Sequence, residues 1–199
     1  MTSILDQPSS ALQMNGISKS FANMLAVQNV DFMAYGGEVH ALMGENGAGK
    51  STLMKILAGA FDDYIGEILI NGKTRCLHTP AQAKAAGIEM IYQELSLVPQ
   101  VSIAENIFAG RLPSSNRFLV NRRQLIEESR HWLAKVGLDC DPLMRVEQIS
   151  PHEAQRVEIA KALSNRPTIL VMDEPTSSLS RREVESLFGL IRDLKSQGL

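Results

Sequence analysis

Only two of the 199 residues are cysteines, Cys76 and Cys140, and they lie far apart with no second cysteine near either. A disulfide framework is excluded, and this usage predicts reduced thiols in a cytosolic protein. Charge of one sign is also lacking, with 20 Lys and Arg against 22 Asp and Glu for a formal net charge of −2. Proteins that bind nucleic acid draw most of their affinity from neutralising phosphates and so carry a basic excess or a basic face. None is visible, and no nucleic-acid partner is expected. No uninterrupted apolar run reaches the roughly 18 residues of a membrane span. The opening MTSILDQPSS has neither the basic start nor the apolar stretch of a signal peptide. The chain is therefore expected to be neither exported nor membrane-spanning, with a membrane partner left open. It contains no internal repeat and no low-complexity segment. What it does contain is 44% hydrophobic residues, enough to bury the core of one domain, or of one domain with a subdomain.

Behind a polar tail (1–10), apolar runs of strand length occur at Leu12 to Ile17 and Val27 to Met33. The short run VHALM (Val39 to Met43) is bounded by glycines and reads as a buried strand. GENGAGKST follows, and then LMKILAGA, whose good helix formers predict a helix ending near Gly59. Ile65 to Ile70 reads as a strand, Asn71-Gly72 as a hairpin turn and Thr74 to Leu77 as its partner. Thr79-Pro80 opens an alanine-rich helix stopped at Gly87, before a second buried-strand candidate, Ile88 to Gln93. From Pro99 to about Ser164 the strand signal disappears, and Ser102 to Ala109, Asn121 to Val136 and Ser150 to Leu163 all fit helices. Strand pattern returns at TILVMDEP (Thr168 to Pro175), and Arg181 to Gln197 forms an amphipathic helix.

Gly44-Glu45-Asn46-Gly47-Ala48-Gly49-Lys50-Ser51 satisfies G-x-x-x-x-G-K-[ST], and Thr52 follows it. Glycines let the backbone turn tightly and aim successive N–H groups into one concavity, where the helix N-terminus adds its positive dipole end. Lys50 can reach the β- and γ-phosphates, and the Ser51 hydroxyl can ligand Mg²⁺. The bare pattern arises by chance in about one chain in a hundred of this size, and the required strand before and helix after lower that further. Asp173 and Glu174 follow four apolar residues at the mouth of a strand, the position where ligands of open α/β sheets bind. Asp173 suits the Mg²⁺ shell, and Glu174 suits a general base acting on an attacking water.

These motifs, with KSFANMLAVQNVDF, IYQELSLVPQVSIAENIFAGR and VEIAKALSNRPTILVMDEPTSSLS, resemble the ATP-binding subunits of ABC transporters. Within them the resemblance is to the carbohydrate-import class, and it covers the chain from about Leu12 onward. It implies an α/β fold, a P-loop NTPase core of ABC type (11–92 and 165–199) with an inserted helical subdomain (93–164). Phe21 would stack on adenine, and Gln93 would link Mg²⁺ and water to a transmembrane partner. The implied ligands are ATP and Mg²⁺. The implied partners are transmembrane permease subunits, a second ATP-binding half or subunit and, indirectly, a periplasmic or extracellular sugar-binding protein. The implied location is peripheral, on the cytoplasmic face of the membrane.

Three departures stand out. The family's signature loop, LSGGQ, is matched by Ile149-Ser150-Pro151-His152-Glu153. In the family that loop lies against the γ-phosphate held by the opposite domain, whereas S-P-H-E is the pattern of a capping box with Pro at the first helical position. A helix so capped is poorly disposed to accept another anion, so only one of two composite sites is expected to be catalytic. Ser180 stands where the family usually has aspartate. The switch histidine and second ATP-binding half of carbohydrate-import subunits are not matched, which reads as the N-terminal half of a longer protein; none of His40, inside the predicted strand, His78, His131 or His152 could replace the histidine. Two other readings stay open: a truncated, non-catalytic nucleotide-binding or regulatory module, and a soluble ABC-type ATPase acting on nucleic acid or ribosomes.

Overall fold

The computed structural model describes residues 10–22, 24–116, 119–177 and 179–199. In chain order the elements are β1 (Ser10–Phe21), β2 (Met24–Tyr35), α1 (Lys50–Leu57), β3 (Ile65–Ile70), β4 (Lys73–Thr74), α2 (Pro80–Ala85), β5 (Ile88–Ile91), α3 (Ile103–Ile107), β6 (Ser114–Asn116), β7 (Leu119–Val120), α4 (Arg122–Lys135), α5 (Pro151–Leu163), β8 (Ile169–Met172) and α6 (Arg181–Ser196). A 3₁₀ turn, Val146–Gln148, precedes α5. Ser10, predicted to belong to the tail, opens β1, and residues 1–9 lie outside the described residues.

The chain divides into two units. The first comprises Met1–Glu89, Thr168–Val171 and Ile191–Leu199. Its four-stranded sheet has the order β2-β1-β3-β4, and β1 runs antiparallel to both β2 and β3. Alternation buries Leu12 and Met14 on one face of β1. The pairing then shifts register between Met14 and Ile17, with Gly16 at φ 61°. An extra residue in a strand reverses which side chains face inward, so Ile17 and Lys19 continue the inner face that Leu12 and Met14 began. Asp31 accepts the Gly16 N–H at 2.7 Å and pins the irregularity. Leu53, Ile56 and Leu57 of α1, with Ile68 and Ile70 of β3, supply further buried apolar side chains of this unit.

Two strand expectations in this unit are corrected. Val39 to Met43 forms no strand, and Met43 is 87% exposed and Val39 57%. His40 is therefore not inside a strand; its ring packs edge-on to Phe32, with Nδ1 3.5 Å from the Glu38 carboxylate. A five-residue apolar run becomes a strand only where a neighbour takes up its backbone groups, and among the described strands none pairs with it. The strand expected over Thr74 to Leu77 is shorter, because β4 ends at Thr74 and only the Arg75 N–H continues to the Ile68 carbonyl.

The second unit comprises Met90–Pro167 and Met172–Leu190. Here α3, α4 and α5 pack on one another around Ile103, Ile107, Leu125, Leu133, Val157 and Ala160. The helices begin where polar caps are available: Ser102 with Glu105 for α3, Asn121 for α4 and Ser150 with Glu153 for α5. The short hairpin β6-β7 falls where no strand was expected. Arg156 of α5 donates to the carbonyls of Val136 and Gly137 and to the Ser186 hydroxyl, joining α4, α5 and α6. β5 and β8, each divided between the two units, pair in a separate two-stranded sheet. No helix among the described residues is long and apolar enough to cross a membrane.

Candidate nucleotide-binding site

In the first unit Gly44 to Ala48 form an exposed loop leading into α1. Gly47 and Gly49 have φ of 85° and 86°, a region that side chains disfavour. Gly49 is constrained by space as well: a Cβ there would lie 2.6 Å from the Ala26 carbonyl oxygen and 3.0 Å from Val27. That approach seats the loop against the β1-β2 hairpin. Gly44 has no positive φ, and a Cβ on it would make only ordinary contacts. The Lys50 ammonium folds back across the loop to the Gly44 and Glu45 carbonyls, 2.8 Å from each. Helix α1 has no side-chain cap and no acidic residue in its first turn. Its leading N–H groups and positive dipole end therefore face the loop without a competing side-chain acceptor. Ser51 and Thr52 lie in the first turn of this helix.

Phe21 ends β1 and faces Met24 across the hairpin tip. Its ring is 42% exposed and packs edge to face on Phe61, with centroids 5.2 Å apart.

In the second unit the Asp173 N–H donates to the Ile91 carbonyl at 3.0 Å, which brings the ends of β5 and β8 side by side. Gln93 lies two residues beyond Ile91 and is exposed, so Gln93, Asp173 and Glu174 share one strand-end region. Glu174 adopts φ 46°, a left-handed conformation unusual for a long side chain and of the kind that collects at functional sites. Gln155 of α5 donates to the Pro175 carbonyl at 2.7 Å and holds the turn just after Glu174. The segment after Gln93 is held by the buried Glu158, whose carboxylate accepts the Ser96 hydroxyl at 2.6 Å and the Ser96 N–H at 3.2 Å. Neither Gln155 nor Glu158 was singled out in the sequence, since a polar residue on a helix reads as surface until its partner is known.

At the signature position the predicted capping box is formed. The Ser150 N–H and hydroxyl both donate to the Glu153 carboxylate at 2.8 Å, and the Glu153 N–H donates to the Ser150 hydroxyl at 3.3 Å. Those bonds, the backbone one foremost, hold the Glu153 carboxyl below its ordinary range. The His152 ring accepts from Arg156 Nε at 3.4 Å. Ser180 plays the same part for α6, giving its N–H and hydroxyl to Glu183 at 2.7 and 2.6 Å. An S-x-x-E pattern was readable at Ser180 too.

A glycine loop in left-handed conformation, a lysine folded across it and an uncapped helix behind it are the parts of a P-loop. The family described as ABC transporter matches residues 27–177, and the chain belongs to it. The ribose import ATP-binding protein RbsA 3 of Rubrobacter xylanophilus is 48% identical over 187 residues, 94% of this chain and 38% of that protein. The arabinose import ATP-binding protein AraG of Yersinia pestis is 49% identical over 187 residues, 94% of this chain and 36% of that protein. The chain thus spans a little over a third of the length of these relatives. In three dimensions it is similar to a nucleotide-free ATP-binding cassette from an ABC transporter, with a TM-score of 0.85, 23% identity and coverage of 96% of this chain and 79% of the other.

Proposed function

We propose that this chain binds MgATP and, in a complete transporter, hydrolyses it to drive import of a monosaccharide. The observation that carries the reading is α1: an uncapped N-terminus, two glycines in left-handed conformation and a lysine folded over the loop. This donor set fits a triphosphate, because the uncapped helix N-terminus offers backbone N–H groups and Lys50 adds an ammonium, and both favour an anion. Gly44 to Thr52 would bind the phosphates, Ser51, Asp173 and Gln93 would serve the Mg²⁺, Phe21 would hold the adenine and Glu174 would take the proton of the attacking water. Mg²⁺ held by one hydroxyl, one carboxylate and phosphate oxygens needs no preformed cluster of acids; when bound, it would offset charge on the phosphates. Permease subunits, a second ATP-binding half and a sugar-binding protein complete the proposed assembly at the cytoplasmic face of the membrane. The sugar-import names of the relatives support this reading.

Gly49→Ala is expected to weaken ATP binding more than about tenfold, since both φ and the Ala26 carbonyl oppose a Cβ. Gly44→Ala is expected to leave it within about twofold. Titration with a fluorescent ATP analogue checks both, and equal effects would remove the loop geometry from the argument. The closed capping box at Ser150 to Glu153 further supports a reading in which the composite site using this loop does not hydrolyse ATP. In the complete transporter, His152→Gly with Glu153→Gly is then expected to leave the ATPase rate unchanged. A large loss from those loop changes would overturn it.

A further inference from the structure

Lys19 is a lysine where the sheet should be dry. Its side chain is 3% exposed, and its ammonium lies 2.5 Å from the Asp63 carboxylate, 4.7 Å from the Phe21 ring centroid and 5.2 Å from that of Phe61. A buried ammonium is unfavourable unless it is paired, and here one carboxylate and two aromatic rings surround it. It stands on the inner face only because the register shift near Gly16 turned it there.

The hairpin tip gives Phe21 little other support. Its neighbours Met24 and Leu25 are exposed and Ala22 turns the chain at φ 49°, so core burial does not fix the ring. Phe61 and Asp63 come from the segment following α1, the helix that starts at the phosphate loop, and Ala26 of the same hairpin abuts Gly49 of that loop. Both ends of α1 thus bear on the hairpin: one at the phosphates, the other at the ring.

We infer that Lys19, clamped by Asp63 against Phe21 and Phe61, is a positioning residue that holds the Phe21 ring at the spacing from the phosphate loop which an adenine nucleotide requires. The inference rests on the reading that Phe21 stacks on adenine. Lys19 itself touches no nucleotide. It fixes one side of the Phe21 ring through the cation–π contact, and Phe61 meets the ring edge to face, which leaves the remaining surface for a base.

The test compares ATP with inorganic tripolyphosphate, which shares the phosphates and lacks the base, by calorimetric titration of the full-length protein. Phe21→Ala is expected to weaken ATP about tenfold and to leave tripolyphosphate unchanged. Lys19→Met is expected to weaken ATP about three- to tenfold with tripolyphosphate again unchanged. Asp63→Asn, which leaves the buried Lys19 ammonium without its carboxylate, is expected to give the same selective loss in smaller measure, measured on protein whose thermal melt shows it folded. If Phe21→Ala is selective and neither Lys19→Met nor Asp63→Asn is, the inference falls while the role of Phe21 stands. If Phe21→Ala has no selective effect, the reading beneath it falls. Equal weakening of both ligands by Lys19→Met and Asp63→Asn would show a merely structural lysine and overturn the inference.

Discussion

Lys50→Ala is expected to bring ATP turnover by the complete transporter to background and to weaken ATP binding by this chain more than about tenfold. The Lys50 ammonium is the sole cationic side chain of Gly44 to Thr52, and it already reaches across the loop to the Gly44 and Glu45 carbonyls. A triphosphate brings several negative charges to that place, and a positioned cation counts for most where charge is transferred between phosphoryl oxygens. Alanine removes the charge without disturbing the core, because the buried face of α1 is made by Leu53, Ile56 and Leu57. Thermal melts of the variant and the parent should therefore coincide within a few degrees. A variant that melted normally and still turned over ATP would exclude the loop as the phosphate site.

The glycine loop and the helix behind it were legible in the sequence because their pattern is local: glycines, lysine and serine at fixed spacing lie within one turn of backbone and the start of a helix. Helix starts were legible for the same reason, as Thr79, Ser102, Asn121 and Ser150 each cap the helix that follows them. Ser180 could have been added by the same pattern, but comparison with the family's aspartate obscured its bond to Glu183. What was not legible depends on partners distant in sequence. Val39 to Met43 has the composition of a buried strand, yet strand formation belongs to a pair and not to a run. Lys19 looks like an ordinary surface lysine until the register shift around Gly16 is known, and Asp63, its partner, lies on the far side of the phosphate loop. The pairing of Gln155 with the Pro175 carbonyl likewise joins a helix face to a strand end that no spacing rule connects.

The second large effect is expected from Glu174→Gln, which should lower ATP hydrolysis by the complete transporter about 10²- to 10⁴-fold, the usual contribution of general acid–base catalysis. ATP affinity should stay within about twofold, because the amide preserves size and one acceptor oxygen, and the charge and proton-accepting capacity it forfeits are not what holds the phosphates. The prediction separates Glu174 from its neighbour. Asp173 directly follows β8 with its N–H tied to the Ile91 carbonyl, whereas Glu174 is turned by a left-handed φ that the Gln155 bond to Pro175 helps to hold. Two consecutive acids set in different backbone conformations leave the chain along different Cα–Cβ directions, and they are assigned different work. Asp173→Asn should therefore weaken binding of ATP in a Mg²⁺-dependent manner, while Glu174→Gln should trap the ATP-bound form, read as retained nucleotide after rapid gel filtration. If Glu174→Gln instead weakened binding and spared the turnover of what remained bound, the two assignments would have to be exchanged.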